Sequence, residues 1–161
     1  MPLSAETTLT VVAANGTEVV LCATDIAGLP AYTADGGSKS SSGSVKNIGV
    51  YTGVPILDLC DLIGGVTSGD SVTVTASDGY TSTYTYAQLN GQDIATYDAE
   101  GNPLEATEPL TMIVAYNLDG EILSAEDAGL LRIAVVGPEG VITAGNVWAK
   151  FVVQIEINAT A

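Results

Sequence analysis

Apolar residues along this chain follow two different spacings, and the changes between them divide it into elements. Thr8–Ala13 and Thr17–Leu21 are β-prone runs joined by Asn15-Gly16, a pair that tolerates positive φ at both central turn positions, so the chain opens on a hairpin. Thr24-Asp25 then offers an N-cap for a short helical turn through Ile26, Ala27 and Leu29, stopped by Pro30. Gly49–Tyr51 reads as extended, and Pro55 suits the first turn of a helix whose apolar positions Ile56, Leu59, Cys60 and Ile63 share one stripe. Gly64-Gly65 ends that helix by supplying a residue free to turn left-handed.

Beyond this point the period falls from 3.6 to 2. Ser71–Ala76 places Val72, Val74 and Ala76 on one face; Ser77-Asp78-Gly79 turns the chain, and Tyr80–Tyr86 returns with Tyr80, Ser82, Tyr84 and Tyr86 on one face. Ala87–Gly91 predicts a helical turn, 98–103 a loop, Leu110–Tyr116 an apolar strand, and Asn117–Gly120 a turn into Glu121–Leu123. Gly129–Pro138 is nearly all apolar, as expected of a strand buried on both faces. The last run, Trp148–Ile157, sets Phe151, Val153, Ile155 and Ile157 against Lys150, Gln154 and Glu156.

One segment lacks either period. Residues 35–47, Asp-Gly-Gly-Ser-Lys-Ser-Ser-Ser-Gly-Ser-Val-Lys-Asn, are too rich in Gly and Ser to order themselves by hydrophobicity, which predicts a long, flexible surface loop. Backbone N–H groups around Gly36, Gly37 and Gly43, with Lys39 and Lys46 beside them, are weak candidates for an anion cradle. The P-loop pattern is absent.

Charge narrows the function classes. The 161 residues carry 19 Asp and Glu against four Lys and Arg, with no histidine, for a net charge of −15. The cations Lys39, Lys46, Arg132 and Lys150 are scattered in sequence, so no basic face is expected and nucleic acid is discarded as a partner. Membrane insertion is discarded too, since no apolar run approaches the ~18 residues of a span. Charged residues are only 14% of the chain, below the usual ~25%, which leaves Ser, Thr, Gly, Asn and Ala to cover the surface, a coat common on secreted proteins. The start, Met-Pro-Leu-Ser-Ala-Glu, carries no basic, apolar signal segment and fits either a cytoplasmic protein or one whose signal peptide has been removed; the surface favours the second, an extracellular or cell-surface protein. Its length suits a single domain over 1–161.

The remaining chemistry-bearing residues each have an ordinary reading. Cys22 and Cys60 are the only cysteines and have apolar neighbours, so they read as free, small apolar side chains; bridged, they would close a loop of about 38 residues worth about 4 kcal/mol. Asp98, Glu100 and Asn102 alternate as calcium ligands do, but Gly101 comes too early for a hand-type loop. Asp58 and Asp61 are expected at the solvated edge of their helix, and Tyr80, Tyr84 and Tyr86 as cross-strand packing rather than a recognition face. Asn15-Gly-Thr17 and Asn158-Ala-Thr160 fit the glycan acceptor pattern, a frequent coincidence.

Three motifs carry a family resemblance. Tyr51-Thr-Gly-Val-Pro-Ile-Leu-Asp-Leu-Cys60 resembles the (W/Y)-T-G-V-P-L-x-D-L-L segment of the oxidoreductase molybdopterin-binding domain, the fold of the sulfite oxidases. Gly129–Gly137 resembles that family's G-P-L-R-L-V-V-P-G strand, and Trp148–Ile157 its terminal W-x-K-W-V-x-x-I-E-V strand. The resemblance implies an α+β fold, mostly antiparallel sheet with two or three short helices. It also implies a molybdenum-binding cysteine shortly before Tyr51, yet residues 32–50 hold none. The expectation is therefore a non-catalytic, cofactor-free relative that binds an unknown protein or small molecule, or serves structurally. Two alternatives stand beside it. One is a molybdopterin-dependent oxidoreductase with an unusual metal ligand such as Cys22; the other is a calcium-stabilised adhesive module.

Overall fold

The computed structural model describes residues 3–40, 42–92, 94–105, 110–123, 129–138 and 140–158. Its first elements follow the opening pattern: strands β1 (Thr8–Val12) and β2 (Glu18–Cys22) form the hairpin, and helix α1 (Ala23–Ala27) follows directly. Here Cys22, and not Thr24 or Asp25, is the N-cap, because the Asp25 carboxylate reaches back to accept the Cys22 backbone N–H at 3.1 Å and its thiol at 3.3 Å.

Strand β3 (Tyr32–Lys39) and the 11-residue β4 (Val45–Pro55) come next. They correct the expectation of a long loop over 35–47, since 35–39 and 45–47 lie in strands. Hydrophobicity does not order this segment; backbone pairing does. Asp35 and Gly36 pair with β4 on one side and with a later strand on the other, and strands approach so closely here that side chains larger than Gly would not fit. Helix α2 (Ile56–Asp61) buries Ile56, Leu59 and Cys60 as its stripe predicts, and Gly64 and Gly65 at φ 104° and 79° terminate it.

The second hairpin is β5 (Ser71–Ala76) with β6 (Thr81–Thr85). Tyr86 leaves the strand and begins α3 (Tyr86–Leu89), because Thr85 and Gln88 make reciprocal capping hydrogen bonds of 3.2 and 3.0 Å. Then follow β7 (Thr96–Tyr97), β8 (Thr111–Leu118), β9 (Glu121–Ile122), β10 (Arg132–Gly137), β11 (Ile142–Ala144), a 3-10 turn (Gly145–Val147) and β12 (Val152–Asn158). Every residue of β10 is buried, including Arg132.

The strands form two sheets. One has five strands in the order β2-β1-β12-β5-β6; the other has seven, in the order β10-β8-β4-β3-β11-β7 with β9 beside β8. Most pairings are antiparallel; β1 with β12 and β3 with β11 are parallel. The larger sheet also closes on itself, since β10 pairs with both β8 and β3, so β3, β4, β8 and β10 form a four-strand ring. Glycines permit the closure. A Cβ on Gly36 would lie 2.7 Å from the Val135 carbonyl oxygen, and one on Gly53 would lie 2.2 Å from that of Val114. A single apolar core runs between the sheets, joining Val11, Val74 and Ile155 of the smaller one to Ile113, Ile133 and Val135 of the ring.

The Gly53→Ala variant is expected to lose at least about 1–3 kcal/mol, the cost of forcing strands apart in a packed core, whereas Gly28→Ala, whose Cβ would meet only atoms at 3.5 Å, should stay within about 0.5 kcal/mol of the parent. Urea denaturation midpoints check both.

A cleft that gathers the cations

Pairing in the ring determines where the cationic side chains end up. Register between β3 and β4 sets Ser38 opposite Lys46 and Lys39 opposite Val45, which brings the two lysines to the same end of the hairpin. Arg132 starts β10 at that end, and Lys150 follows the 3-10 turn that β11 feeds. All four line one cleft of about 730 Å³, together with Ser38, Ser40, Tyr97, Ala144, Gly145 and Trp148. The whole chain has four Lys and Arg, so its full complement of cationic side chains converges on one place. None of the described residues lining the cleft is acidic. The expectation of scattered cations is thereby corrected: sequence separation hid a three-dimensional cluster.

Two of the cations sit over aromatic rings. The Lys39 ammonium lies 4.2 Å from the centre of the Tyr97 ring, and the Arg132 guanidinium carbon 5.2 Å from that of Trp148, both cation–π distances. Trp148 is itself anchored: its Nε1–H donates to Thr143 Oγ1 at 2.6 Å, and its ring meets Tyr51 edge-on with centroids 5.2 Å apart. The Tyr84 hydroxyl donates to the Val147 carbonyl at 2.8 Å and pins the 3-10 turn.

Arg132 is the most constrained of the four. It is only 4% exposed, and its Nε and Nη2 groups have no hydrogen-bond partner. Desolvation holds the guanidinium below its ordinary pKa, partly opposed by nearby Tyr51, and burial raises the Tyr51 hydroxyl in turn. A buried guanidinium with unpaired N–H donors is costly.

The other sequence candidates lie elsewhere. Gly36 and Gly37 are buried strand residues that do not line the cleft, and a Cβ on Gly37 would lie 2.5 Å from Ile142 Cδ1. They serve packing, so the expected cradle of loop N–H groups is not formed. Cys22 is exposed at the end of β2, Cys60 is buried in α2, and both are free thiols outside the cleft. Burial, with a smaller contribution from the Asp61 charge, pushes the Cys60 thiol up to about 12. A site offering neither thiolate nor histidine does not fit the soft-ligand chemistry of a molybdenum centre.

Tyr84 is core, Tyr86 is helical and Tyr80 is 68% exposed, so the three tyrosines do not form one face. Asp58 is partly buried and Asp61 exposed. The Asp98 Oδ1 accepts the backbone N–H groups of Glu100 and Asn102 at 3.0 and 2.9 Å, which lowers its pKa. Among the described residues no group of three or more His, Cys, Asp and Glu side chains is placed to hold a metal. Asn15 is exposed in its turn, whereas the Asn158 triplet runs into residues 159–161, outside the described residues. Nor is any described helix long and apolar enough to cross a membrane.

No family model matches the chain, and no curated protein does. Among solved structures it is similar to the sulfane dehydrogenase SoxCD from Paracoccus pantotrophus, with a TM-score of 0.70 at 16% identity. The fold is the sulfite oxidase type. The match covers 97% of this chain and 39% of that one, so the chain spans well under half the length of its neighbour. At this identity the likeness is one of architecture: α+β, mostly antiparallel, with three short helices.

A thiol-reactive dye should titrate one cysteine, Cys22, in the native protein at pH 8 and both in denaturant, because the Cys60 thiolate is inaccessible and rare below about pH 12. Two thiols reacting at equal rates in the native state would contradict the burial of Cys60.

Proposed function

We propose that this protein is a non-catalytic binding module, built on the sulfite oxidase-type fold without its cofactor, that takes a small anion in the four-cation cleft. The carrying observation is the convergence of Lys39, Lys46, Arg132 and Lys150 on a cleft that no described carboxylate lines, in a chain of net charge −15. Random placement of so few cations would leave most beside acidic neighbours. The general field repels anions, but at physiological salt the Debye length is about 8 Å, so distant carboxylates are screened while cations in direct contact are not. Arg132 and the three lysines would neutralise the charge of the bound anion.

The absence of a thiolate at the cleft supports a cofactor-free reading, and the clustering of the cations in a single cleft favours a compact ligand over a nucleic acid backbone. An extracytoplasmic setting remains part of the proposal, motivated by the sparsely charged, Ser/Thr/Gly-rich composition.

Inorganic phosphate and sulfate are the first probes. Calorimetry should show saturable binding that weakens with added NaCl, and the Lys39→Gln/Lys46→Gln double variant should bind about tenfold or more weakly, in keeping with the loss of charge-assisted contacts. Thermal midpoints should rise with phosphate, because an anion that binds only the folded state stabilises it, and it would offset the cost of burying Arg132. Absence of binding at millimolar anion, or a double variant identical to the parent, would sink the anion reading. Molybdenum and pterin near one per chain in protein from its native source would defeat the cofactor-free part.

A further inference from the structure

The cation cleft does not stand alone. A second hollow of about 310 Å³ shares Gly145, Trp148 and Lys150 with it and continues past them to Tyr80, Phe151, Asp78 and Ser82. Both volumes fall within the roughly 300–1,000 Å³ of small-ligand sites. The two hollows differ in chemistry. The first concentrates positive charge; the second offers two aromatic rings, a hydroxyl and a carboxylate.

Tyr80 and Phe151 are placed there by different devices. Tyr80 follows the Ser77–Gly79 turn, where its backbone N–H donates to Asp78 Oδ1 at 3.0 Å, and its side chain is 68% exposed. Phe151 has φ 55°, an unusual value for an aromatic residue. Its backbone is held by the Ser77 N–H donating to its carbonyl at 2.9 Å and by the close approach of Gly129, on which a Cβ would lie 2.7 Å from Phe151 Cα. Asp78 is exposed and, with one oxygen engaged by Tyr80, keeps acceptor capacity.

From this juxtaposition we infer that the joined groove takes a sugar ring bearing an anionic group: the phosphate, sulfate or carboxylate enters the cation cleft, and the ring lies beside Tyr80 and Phe151. Charge complementarity orients it. Asp78 would repel a second anion at the far end, so the ligand's charge belongs at one end only. An all-apolar ring would leave the second Asp78 oxygen unused, whereas a ring hydroxyl can donate to it. The C–H face of a sugar suits the electron-rich face of an aromatic ring. This inference rests on the anion-binding reading and adds the ligand's body to it.

Calorimetry with four probes separates the two readings: inorganic phosphate, glucose 6-phosphate, glucose and phenyl phosphate. Glucose 6-phosphate should bind about tenfold tighter than inorganic phosphate, the scale of one aromatic contact, and tighter than phenyl phosphate, with free glucose undetectable. Tyr80→Ala should bring glucose 6-phosphate down to the phosphate level without changing phosphate affinity; Tyr80→Phe should restore the difference. Asp78→Asn, which keeps the oxygen that caps Tyr80, should weaken glucose 6-phosphate alone. Phosphate binding with no gain from the sugar, or a gain that Tyr80→Ala leaves intact, overturns the sugar site and spares the anion cleft. Phenyl phosphate outbinding glucose 6-phosphate overturns the sugar assignment. No phosphate binding at all overturns both.

Discussion

Close approach of backbones at two glycines holds this architecture together. Gly36 lies against the carbonyl of Val135 and the side chain of Val136, and Gly53 against the carbonyl of Val114 and the Cα of Ala115. These contacts let β10 pair with β3 while β4 pairs with β8, which turns an open sheet into a ring. Closing the ring removes the unpaired edges that β3 and β10 would otherwise expose. It also packs the rim of Trp148 over Gly36, where an added Cβ would stand 3.3 Å from the ring. The tryptophan that floors the cation cleft thus sits where it does because a glycine lies beneath it.

Charge placement follows from that closure. Arg132 belongs to a strand otherwise made of buried apolar residues, and its stem shares their dry environment. The pairing of β10 with β3 brings its guanidinium towards the lysines of the β3–β4 hairpin. In a protein with so many carboxylates and so few cations, the ten described lining residues include all four cations and no carboxylate. A buried guanidinium without hydrogen-bond acceptors lowers stability, and such a cost is usually kept at a functional site.

The likeness to the sulfite oxidase fold is one of scaffold. The Tyr51–Cys60 motif, the strand through Arg132 and the closing strand form the ring's β4 segment, its fully buried strand and the centre of the smaller sheet. These segments are core: Tyr51, Val54, Ile56, Leu59 and Ile133 are all essentially inaccessible. Ligand chemistry depends on a few side chains at the rim and changes more readily than the core that carries them.

By itself the sequence determined the elements that bury a periodic face or an apolar run: the β1–β2 hairpin, the α2 stripe, the alternating β5, the nearly all-apolar β10 and the α+β class. In each, the information is local, since side-chain spacing reports the face turned to the core. It did not reveal the strand character of the Gly/Ser segment, because there the neighbours supply the order and the small residues record only how near those neighbours come. The two- and three-residue strands β7 and β11 were silent for the same reason. The cation cluster was illegible too: Lys39, Lys46, Arg132 and Lys150 share no spacing, and their meeting depends on strand register and ring closure. Tertiary structure alone decided that meeting, since long-range pairing, rather than any local preference, sets the distance between residues far apart in the chain.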